Sequence, residues 1–355
     1  MQCADPEQMQ AGGFFPRLVR KAEAAGVPIS GTFDLTWRCC FRCLHCYAGP
    51  ARDRRGELTT AEALDLLDQM AAAGCLDLLF SGGDPLLRRD FERIYRHARE
   101  CGMFLKVFTN AALVSERIAD LFADYAPDYV EVSLYAATDA TAAIVTGDPQ
   151  GLRRTLRGID RLRRRGVRVR LKSVLMATNA AEFPAIEALA TSLGLPFRMD
   201  VAILPRLNGD MAPLALRVPA EEAVRIEFSD PERRQKWARY LEQLRKMPPT
   251  NARFVCKAGR TDFHLDPYGI LRPCVMFPGG GSNARVLSFS EAWRQVSTLV
   301  KKATIAVDVS CRSCNNNALS GSCSAVAELE TGFADRCSGY LCDLGRERAD
   351  LVGSQ

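Results

Sequence analysis

The sequence lacks the features that would direct a chain out of the cell or into a membrane. Its first residues, MQCADPEQMQ, are polar and acidic, so no secretory signal peptide is expected. No run of about 18 apolar residues is present, so no membrane-spanning helix is expected either. The formal net charge is only +5, and charge alone therefore indicates no nucleic-acid partner. We expect a cytoplasmic protein.

Histidine is scarce, with 3 residues, and no motif of paired catalytic carboxylates is present, so no catalytic residue is assigned from the sequence. Cysteine, in contrast, is abundant, with 14 residues in a chain of 355. Disulfides are rare in the reducing cell interior, so many cysteines in such a chain indicate metal or redox chemistry. The cysteines also cluster, because 5 lie between Cys3 and Cys46 and 7 between Cys256 and Cys342.

Residues 29–205 alternate between strand-like and helical patterns. Six βα units in series require parallel strands with right-handed crossovers, and six are too few for a closed eight-unit barrel. We therefore predict an α/β fold built on a partial (β/α)6 barrel. The predicted strands are 29–36, 76–80, 104–109, 128–135, 168–176 and 196–204. A capping box at Thr59–Glu62 predicts a helix to Ala73, and further helices are predicted at 90–100, 115–123, 150–165 and 181–192.

The chain is predicted to have four parts: a lead segment at 1–28, the barrel at 29–205, a helical bridge at 206–250 and a cysteine-rich domain at 251–355. The bridge is predicted to contain helices at 220–228 and 231–246. The last part has weak periodicity and many glycines and asparagines, so we expect metal binding to supply folding energy that a small apolar core does not. Seven arginines between 153 and 165 are expected to lie on a solvated outer face; docking of an acidic peptide is the alternative.

Three regularly spaced cysteines follow the first predicted strand. Cys39, Cys43 and Cys46 form a Cys-x3-Cys-x2-Cys loop, and soft thiolates of this kind select iron–sulfur clusters, zinc or copper(I). Three thiolates leave one iron of a cubane open to bind a substrate or cofactor. Cys40 leaves open a second register, Cys40-x2-Cys43-x2-Cys46. A zinc site with His45 as the fourth ligand is a further alternative.

This loop resembles the signature of the radical S-adenosylmethionine (SAM) superfamily, and the resemblance covers about residues 29–205. The second predicted strand is followed by Ser81–Pro85, read as Ser-Gly-Gly-Asp-Pro, where the family has Gly-Gly-Glu. The resemblance implies that Cys39, Cys43 and Cys46 bind a [4Fe-4S] cluster and that this cluster binds SAM. It also implies SAM contacts from the turn, from an aromatic residue beside the last cysteine and from polar residues at strand ends: Tyr47, Gly82, Gly83, Asp84, Asn110, Ser133 and Lys172, with Ser173 as the alternative to Lys172.

The seven C-terminal cysteines resemble the SPASM extension of radical enzymes that modify peptides, which implies a C-terminal cysteine-rich iron–sulfur domain. The first half, Cys256-x12-Gly269-x4-Cys274, matches, whereas Leu319 and Ser320 stand where the second half should have a cysteine. The resemblance implies one or two auxiliary [4Fe-4S] clusters. The expected ligands are Cys256, Cys274 and Cys323 for the nearer cluster, and Cys311, Cys314, Cys337 and Cys342 for the farther one. A zinc ribbon of Cys256, Cys274, Cys311 and Cys314 is the alternative. Cys3, Cys40, Cys75 and Cys101 are expected to be unligated.

The family resemblance implies a peptide-maturing oxidoreductase. It would cleave SAM reductively to a 5′-deoxyadenosyl radical that takes hydrogen from a ribosomally made precursor peptide, giving a thioether or carbon–carbon crosslink. A tetrapyrrole of haem biosynthesis, or another small molecule, is the alternative substrate, and a zinc-stabilised binding module without catalysis is the third hypothesis. Besides the precursor peptide, the expected partners are a reductant such as flavodoxin or ferredoxin and a separate leader-recognition protein. The last is expected because no winged-helix leader-binding domain is recognised before residue 29.

Overall fold

Six parallel strands, each followed by helical segments, form the larger part of this computed structural model. The structure describes residues 14–49, 55–245, 256–303, 317–321, 323–336 and 338–353. A first helix, α1 (Phe14–Ala25), precedes the sheet. The strands are β1 (Ser30–Thr36), β2 (Asp77–Gly82), β3 (Phe104–Thr109), β4 (Tyr129–Ser133), β5 (Val169–Val174) and β6 (Phe197–Asp200). The helices between and after them are α2 (Thr60–Ala72), α3 (Phe91–Glu100), α4 (Glu116–Asp124), α5 (Asp139–Thr146), α6 (Gly151–Arg164) and α7 (Phe183–Ser192).

The strands pair in the order β6-β5-β4-β3-β2-β1, all parallel, which confirms the partial barrel. Most predicted boundaries agree within about two residues, and the capping box is present because the Thr59 and Glu62 side chains each bond the other's backbone N–H. The predicted sixth strand is too long, since β6 ends at Asp200. Helix α5 was not predicted from the sequence.

The two faces of the sheet differ sharply because successive side chains of a strand point to opposite sides. The face under the helices is apolar and buries residues such as Phe33, Phe80, Leu105, Val132 and Leu171. Each such side chain contributes roughly 1.5–3 kcal/mol through burial. The opposite face, called here the inner face, carries polar and charged residues in matching register; they include Asp34, Asp77, Lys106, Glu131, Lys172, Arg198, Asp200 and His264.

The C-terminal region continues the same sheet. Strand β7 (Asp262–Leu265) pairs with β1 in parallel, and β8 (Ile270–Arg272) and β9 (Ser282–Asn283) follow in antiparallel order. Helix α10 (Phe289–Lys302) buries Phe289, Trp293, Val296 and Val300 in the main core. The expectation that this region has little apolar material for a core was therefore wrong. The weak periodicity noted in the sequence hides one regular amphipathic helix beside short strands.

The bridge and the last helices pack together around a buried ion pair. The bridge contains α8 (Ala220–Glu227) and α9 (Pro231–Arg245), and the C-terminal helices are α11 (Asn317–Ser320), α12 (Ser324–Thr331) and α13 (Gly339–Gly353). Arg348 on α13 donates two hydrogen bonds to the Glu227 carboxylate, at 2.8 and 3.1 Å. The guanidinium also lies 4.2 Å from the ring centre of Trp237. Both charged side chains are over 90% buried, so this pair fixes α13 against the bridge.

Most arginines of α6 lie on its outer side, while Leu152, Thr155, Ile159 and Leu162 face the core. Exposed ion pairs there, such as Arg153–Asp139 and Arg164–Asp160, each contribute roughly 0–1 kcal/mol and agree with a solvated face. Arg154 differs, because its ion pair with Asp148 is partly buried and its guanidinium lies 5.8 Å from the ring centre of Phe41 in the cysteine loop. Among the described residues, no helix is long and apolar enough to cross a membrane.

Candidate functional site

The cysteine loop leaves the carboxyl end of β1 and is held in place by its own backbone. The N–H of Arg42 donates to the carbonyl of Thr146 at 2.7 Å, and the N–H of Leu44 donates to that of Val145 at 3.0 Å. The end of α5 thus supports the middle of the loop. The carbonyl of Tyr47 accepts a 2.8 Å hydrogen bond from the N–H of Leu207. The loop is therefore attached to the barrel on both sides of Cys43 and Cys46.

The glycine turn after β2 packs directly against the start of the cysteine loop. Gly83 donates to the carbonyl of Thr36 at 2.7 Å, and Asp84 donates to the carbonyl of Arg38 at 2.9 Å. An added Cβ would lie 2.2 Å from the Thr36 oxygen at Gly82 and 2.2 Å from the Arg38 oxygen at Gly83. Gly82 also has φ near +127°, a conformation that side-chain-bearing residues rarely adopt. The two sequence motifs therefore form one structural unit.

Asp84 joins the ends of β2 and β3. Its carboxylate accepts hydrogen bonds from the N–H of Leu86 at 3.0 Å, the hydroxyl of Thr109 at 2.8 Å and the N–H of Asn110 at 3.1 Å. Burial raises the pKa of Asp84 to about 6, although these three donors oppose the shift. Through these three bonds the Asp84 side chain positions the backbone of the turn and of Asn110. The contact of this turn with SAM stays a prediction.

Asn110 reaches from the end of β3 to the cysteine loop. Its side-chain amide lies 3.5 Å from the sulfur of Cys39 and 3.4 Å from that of Cys40. The next residue, Ala111, has φ of 60°, which is unusual for a residue other than glycine. Thr155 on α6 donates to the carbonyl of Asn110 at 2.9 Å and holds this turn. Strained backbone of this kind is typical of functional sites.

Cys39 and Cys40 are neighbours in space as well as in sequence. The Cys39 thiol donates a hydrogen bond to Cys40, which raises the pKa of Cys39, with burial adding to the rise, and lowers the pKa of Cys40. Both sulfurs also lie near Asn110. The choice of Cys39 over Cys40 as a ligand therefore stays a prediction.

The loop thiols do not lie close enough together to share a single ion. Among the described residues, the sulfurs of Cys39, Cys43 and Cys46 do not all lie within 4.8 Å of one another. A single zinc ion needs its ligands at about that spacing, whereas a cubane binds each cysteine through a separate iron. All three thiols are partly buried on one short loop. The residues present thus fit a [4Fe-4S] cluster, and the assignment of ligands stays a proposal.

The remaining predicted SAM contacts lie around the loop. The rings of Tyr47 and Trp37 meet edge to face at 6.4 Å, and Ser133 shares a side-chain hydrogen bond with Tyr135. On β5, Lys172 lies on the inner face, 3.6 Å from Asp200, whereas Ser173 is fully buried on the opposite face. Lys172 rather than Ser173 is therefore directed toward the site.

His45 packs against the ring of Tyr135 at 4.5 Å, and burial, followed by the charge of Lys172, lowers the pKa of His45 to about 4. The imidazole thus lies edge to face with the ring of Tyr135. The zinc alternative with His45 as fourth ligand has no support in this geometry.

Only part of the C-terminal cysteine set lies in the described residues. Cys256 and Cys323 are 67 positions apart in sequence. The charge of Cys323 adds to the burial that raises the pKa of Cys256, which indicates that the two side chains lie near each other. Cys274 and Cys342 are partly buried. Cys311, Cys314 and Cys337, like Cys3, lie outside the described residues. The proximity of Cys256 and Cys323 supports their predicted place on one auxiliary cluster.

Sequence reasoning missed two groups at this site. Glu57 accepts a 2.6 Å hydrogen bond from the Thr36 hydroxyl and a 3.3 Å bond from the N–H of Trp37, at the point where β1 becomes the loop. Asp34 on β1 bonds His264 on β7 at 2.7 Å. No sequence signal joins residues 230 positions apart without the pairing of their strands.

Comparisons with known proteins agree with this geometry. Residues 35–185 match the model of the family described as Radical SAM superfamily. The Fe-coproporphyrin III synthase of Methanosarcina barkeri is 32% identical over 166 residues, which is 46% of this chain and 41% of that protein. The PqqA peptide cyclase of Bradyrhizobium diazoefficiens is 30% identical over 183 residues, 51% of this chain and 48% of that protein. The chain thus spans about half the length of the curated relatives it matches.

A solved structure extends the likeness over most of the chain. Streptococcus suis SuiB bound to precursor peptide SuiA matches with a TM-score of 0.71, covering 92% of this chain and 79% of that chain. The identity is 14%, so this likeness shows the fold alone. It includes the C-terminal region, which the match to the family model does not reach.

Proposed function

We propose that this chain, whose residues 35–185 match the model described as Radical SAM superfamily, uses a 5′-deoxyadenosyl radical to modify a ribosomally made peptide. The product would carry a thioether, a carbon–carbon crosslink or a related change. The observation that carries the first half of this proposal is the direct backbone contact between the cysteine loop and the glycine turn. A loop for the cluster and a turn for the amino acid part of SAM must lie side by side if one cofactor is to touch both.

In the proposed site Cys39, Cys43 and Cys46 hold a [4Fe-4S] cluster whose open iron binds SAM. When bound and reduced, the cluster supplies the electron that converts SAM to the radical. The protein's part is to orient SAM and the substrate and to exclude water from them. Asp84 and Asn110 fix the turn and the loop relative to each other, and Lys172 lies on the inner face, where it can meet a carboxylate.

The inner face favours a peptide substrate. Three of its cations are already matched, because Lys106 contacts Asp77, Arg198 bonds Glu131 at 2.8 Å and Lys172 lies 3.6 Å from Asp200. Paired side chains of this kind can accept hydrogen bonds from the N–H groups of a peptide and donate hydrogen bonds to its carbonyls. They offer less to the several carboxylates of a tetrapyrrole, each of which would need a cation of its own.

A tetrapyrrole substrate is the second candidate, and two observations favour it. One is the similarity to the Fe-coproporphyrin III synthase of M. barkeri. The other is Arg170 at the lower end of the inner face, which lies 4.1 Å from the ring centre of Tyr129, and no carboxylate pairs with it among the described residues. This guanidinium could bind one propionate. A single such group does not match the four carboxylates of coproporphyrin.

The C-terminal part is proposed to be a SPASM-like domain at 251–355 that carries one or two auxiliary [4Fe-4S] clusters. The nearness of Cys256 and Cys323 supports one of them. The precursor peptide, a reductant such as flavodoxin or ferredoxin and a separate leader-recognition protein remain proposed partners. The PqqA peptide cyclases among the relatives, and the SuiB structure with its bound precursor peptide, support the peptide.

The experiment begins with protein loaded with iron and sulfide under anaerobic conditions and reduced with dithionite. We expect about three cubane clusters per chain and release of 5′-deoxyadenosine from SAM. Coexpression with a short peptide encoded beside the gene, followed by mass spectrometry, should show a peptide lighter by two hydrogens. Iron-loaded protein that cleaves SAM but changes only a tetrapyrrole would support the second candidate. Protein that binds zinc and no iron would contradict both.

A further inference from the structure

One buried acid–base pair lies on the inner face, and nothing in the cofactor site accounts for it. The Nε2 atom of His264 lies 2.7 Å from an Oδ2 oxygen of Asp34. The side chains are 3% and 1% exposed. Asp34 belongs to the strand that leads into the cysteine loop, and His264 belongs to β7 of the C-terminal region. The pair therefore joins the two parts of the chain just below the loop.

A purely structural role explains the bond but not its free atoms. Among the described residues, the Oδ1 oxygen of Asp34 and the Nδ1 nitrogen of His264 are both buried and have no hydrogen-bond partner. Each such unsatisfied group costs roughly 1–3 kcal/mol, and native structures contain few of them. Four residue pairs in register already join β1 to β7, so an apolar pair would hold the strands at lower cost. A retained cost of this kind calls for a functional reason.

The pair lies beside residues that adjoin both sequence motifs. The ring of Trp37, two residues before Cys39, lies 6.2 Å from the imidazole of His264, and Tyr47 lies 6.4 Å beyond it. Ser81, the residue before the glycine turn, is the register partner of Asp34 on β2. Both motifs of the proposed SAM site thus adjoin this pair. A substrate held below the cofactor would lie beside it.

We propose that His264, oriented by Asp34, is the base that takes a proton from the substrate peptide; this step rests on the function proposed above. A carboxylate that accepts from Nε2–H fixes the tautomer and leaves the lone pair on Nδ1. Among the described residues that lone pair has no partner, and in this proposal the X–H group of the bound peptide meets it. Asp34 also stabilises the positive charge that His264 gains.

The balance of a crosslinking reaction requires such an acceptor. One C–H bond and one X–H bond of the peptide break and one C–X bond forms, where X is sulfur or carbon. The hydrogen from carbon leaves as an atom to the 5′-deoxyadenosyl radical. The hydrogen from X leaves as a proton to Nδ1 of His264. The remaining electron would pass to an oxidant, the iron–sulfur cluster proposed for the C-terminal cysteines, so that atoms and charge are conserved.

The test compares His264→Gln and Asp34→Asn with a matched control, His97→Gln, whose imidazole bonds Asp68 on the outer helices. All are loaded with iron and assayed in deuterated water with the coexpressed peptide. We expect the ratio of crosslinked peptide to 5′-deoxyadenosine to fall about 100-fold in His264→Gln, in the range usual for loss of a general base. Peptide radicals that do not form the crosslink should be reduced by dithionite and should appear as unlinked peptide that carries deuterium on carbon. Asp34→Asn should show a smaller fall in the same direction.

Iron content and the thermal unfolding midpoint separate this role from a structural one. In both variants they should stay close to the His97→Gln values. An unchanged product ratio in His264→Gln would overturn the proposal, and so would a joint loss of iron, stability and SAM cleavage. If wild-type protein cleaves SAM but crosslinks no peptide, the proposed function fails instead, independently of the variants.

Discussion

Gly83→Ala is the sharpest test of the contact between the cysteine loop and the glycine turn. The new Cβ would lie 2.2 Å from the carbonyl oxygen of Arg38, 2.5 Å from its carbon and 2.6 Å from the oxygen of Trp37. All three are backbone atoms, so no side chain can move aside. The turn must separate from the loop instead. Gly83 has no positive φ, so the substitution changes the contact alone and not the backbone preference.

The cost follows from the bonds that this separation breaks. Two backbone hydrogen bonds are lost, each contributing about 1 kcal/mol, and the buried carbonyl of Thr36 is left without a donor at a cost of roughly 1–3 kcal/mol. The free energy of unfolding should therefore fall by about 3–5 kcal/mol. With a urea dependence of about 3 kcal/mol per molar, the midpoint of unfolding should fall by about 1–2 M.

Function should suffer more than stability because the two parts of the proposed SAM site move apart. A displacement of about 1 Å can lower a rate about 100-fold, so 5′-deoxyadenosine formation should fall by about that factor. Gly280→Ala is the matched control, since a Cβ there meets no atom within 4 Å. A Gly83→Ala protein that unfolds and cleaves SAM like the Gly280→Ala protein would refute the reasoning.

Three further changes test other parts of the molecule. Cys39→Ala should abolish 5′-deoxyadenosine formation while Cys40→Ala keeps it; equal loss from both would show that the register is wrong. Burial raises the pKa of Asp84 from 3.8 to about 6, so its contribution to stability is full below about pH 4 and is lost as the pH rises through 6. In urea titrations, the free energy of unfolding should fall by about 3 kcal/mol less between pH 4 and 7 in Asp84→Asn than in the wild type. An equal fall in both proteins would contradict the assigned shift. Arg348→Met should lower the free energy of unfolding by about 3–5 kcal/mol because Glu227 is left buried and unpaired. Adding Glu227→Gln should recover most of that loss, and strictly additive losses would show that the two residues are not coupled.

The barrel could be predicted from the sequence because its signals are local. Strands such as Phe104–Thr109 are apolar runs between turn residues, and the capping box at Thr59 lies within four positions of the helix it begins. Parallel strands with right-handed crossovers followed from the βα rhythm alone. The structure adds the contact between the cysteine loop and the glycine turn, which lie at the carboxyl ends of the neighbouring strands β1 and β2.

The strands of the C-terminal region were not predicted because they form by pairing with residues that are distant in sequence. Strand β7 reads Asp-Phe-His-Leu, too short and too polar to identify alone, and it becomes a strand by pairing with β1. The Asp34–His264 pair depends on that pairing and therefore has no signal in sequence. The hydrogen bonds of the Asp84 carboxylate had no sequence signal for a related reason, since the donors at Thr109 and Asn110 lie at the end of another strand.

The place of β7 also limits how the protein can be cut or recombined. With β2 on one edge and β7 on the other, β1 has main-chain partners along both sides. A fragment ending before residue 256 would expose one bare edge of β1, and such edges recruit strands from other molecules. Expression of the barrel alone should thus yield aggregates, and a chimaera that exchanges the C-terminal region must bring a compatible strand to cover β1.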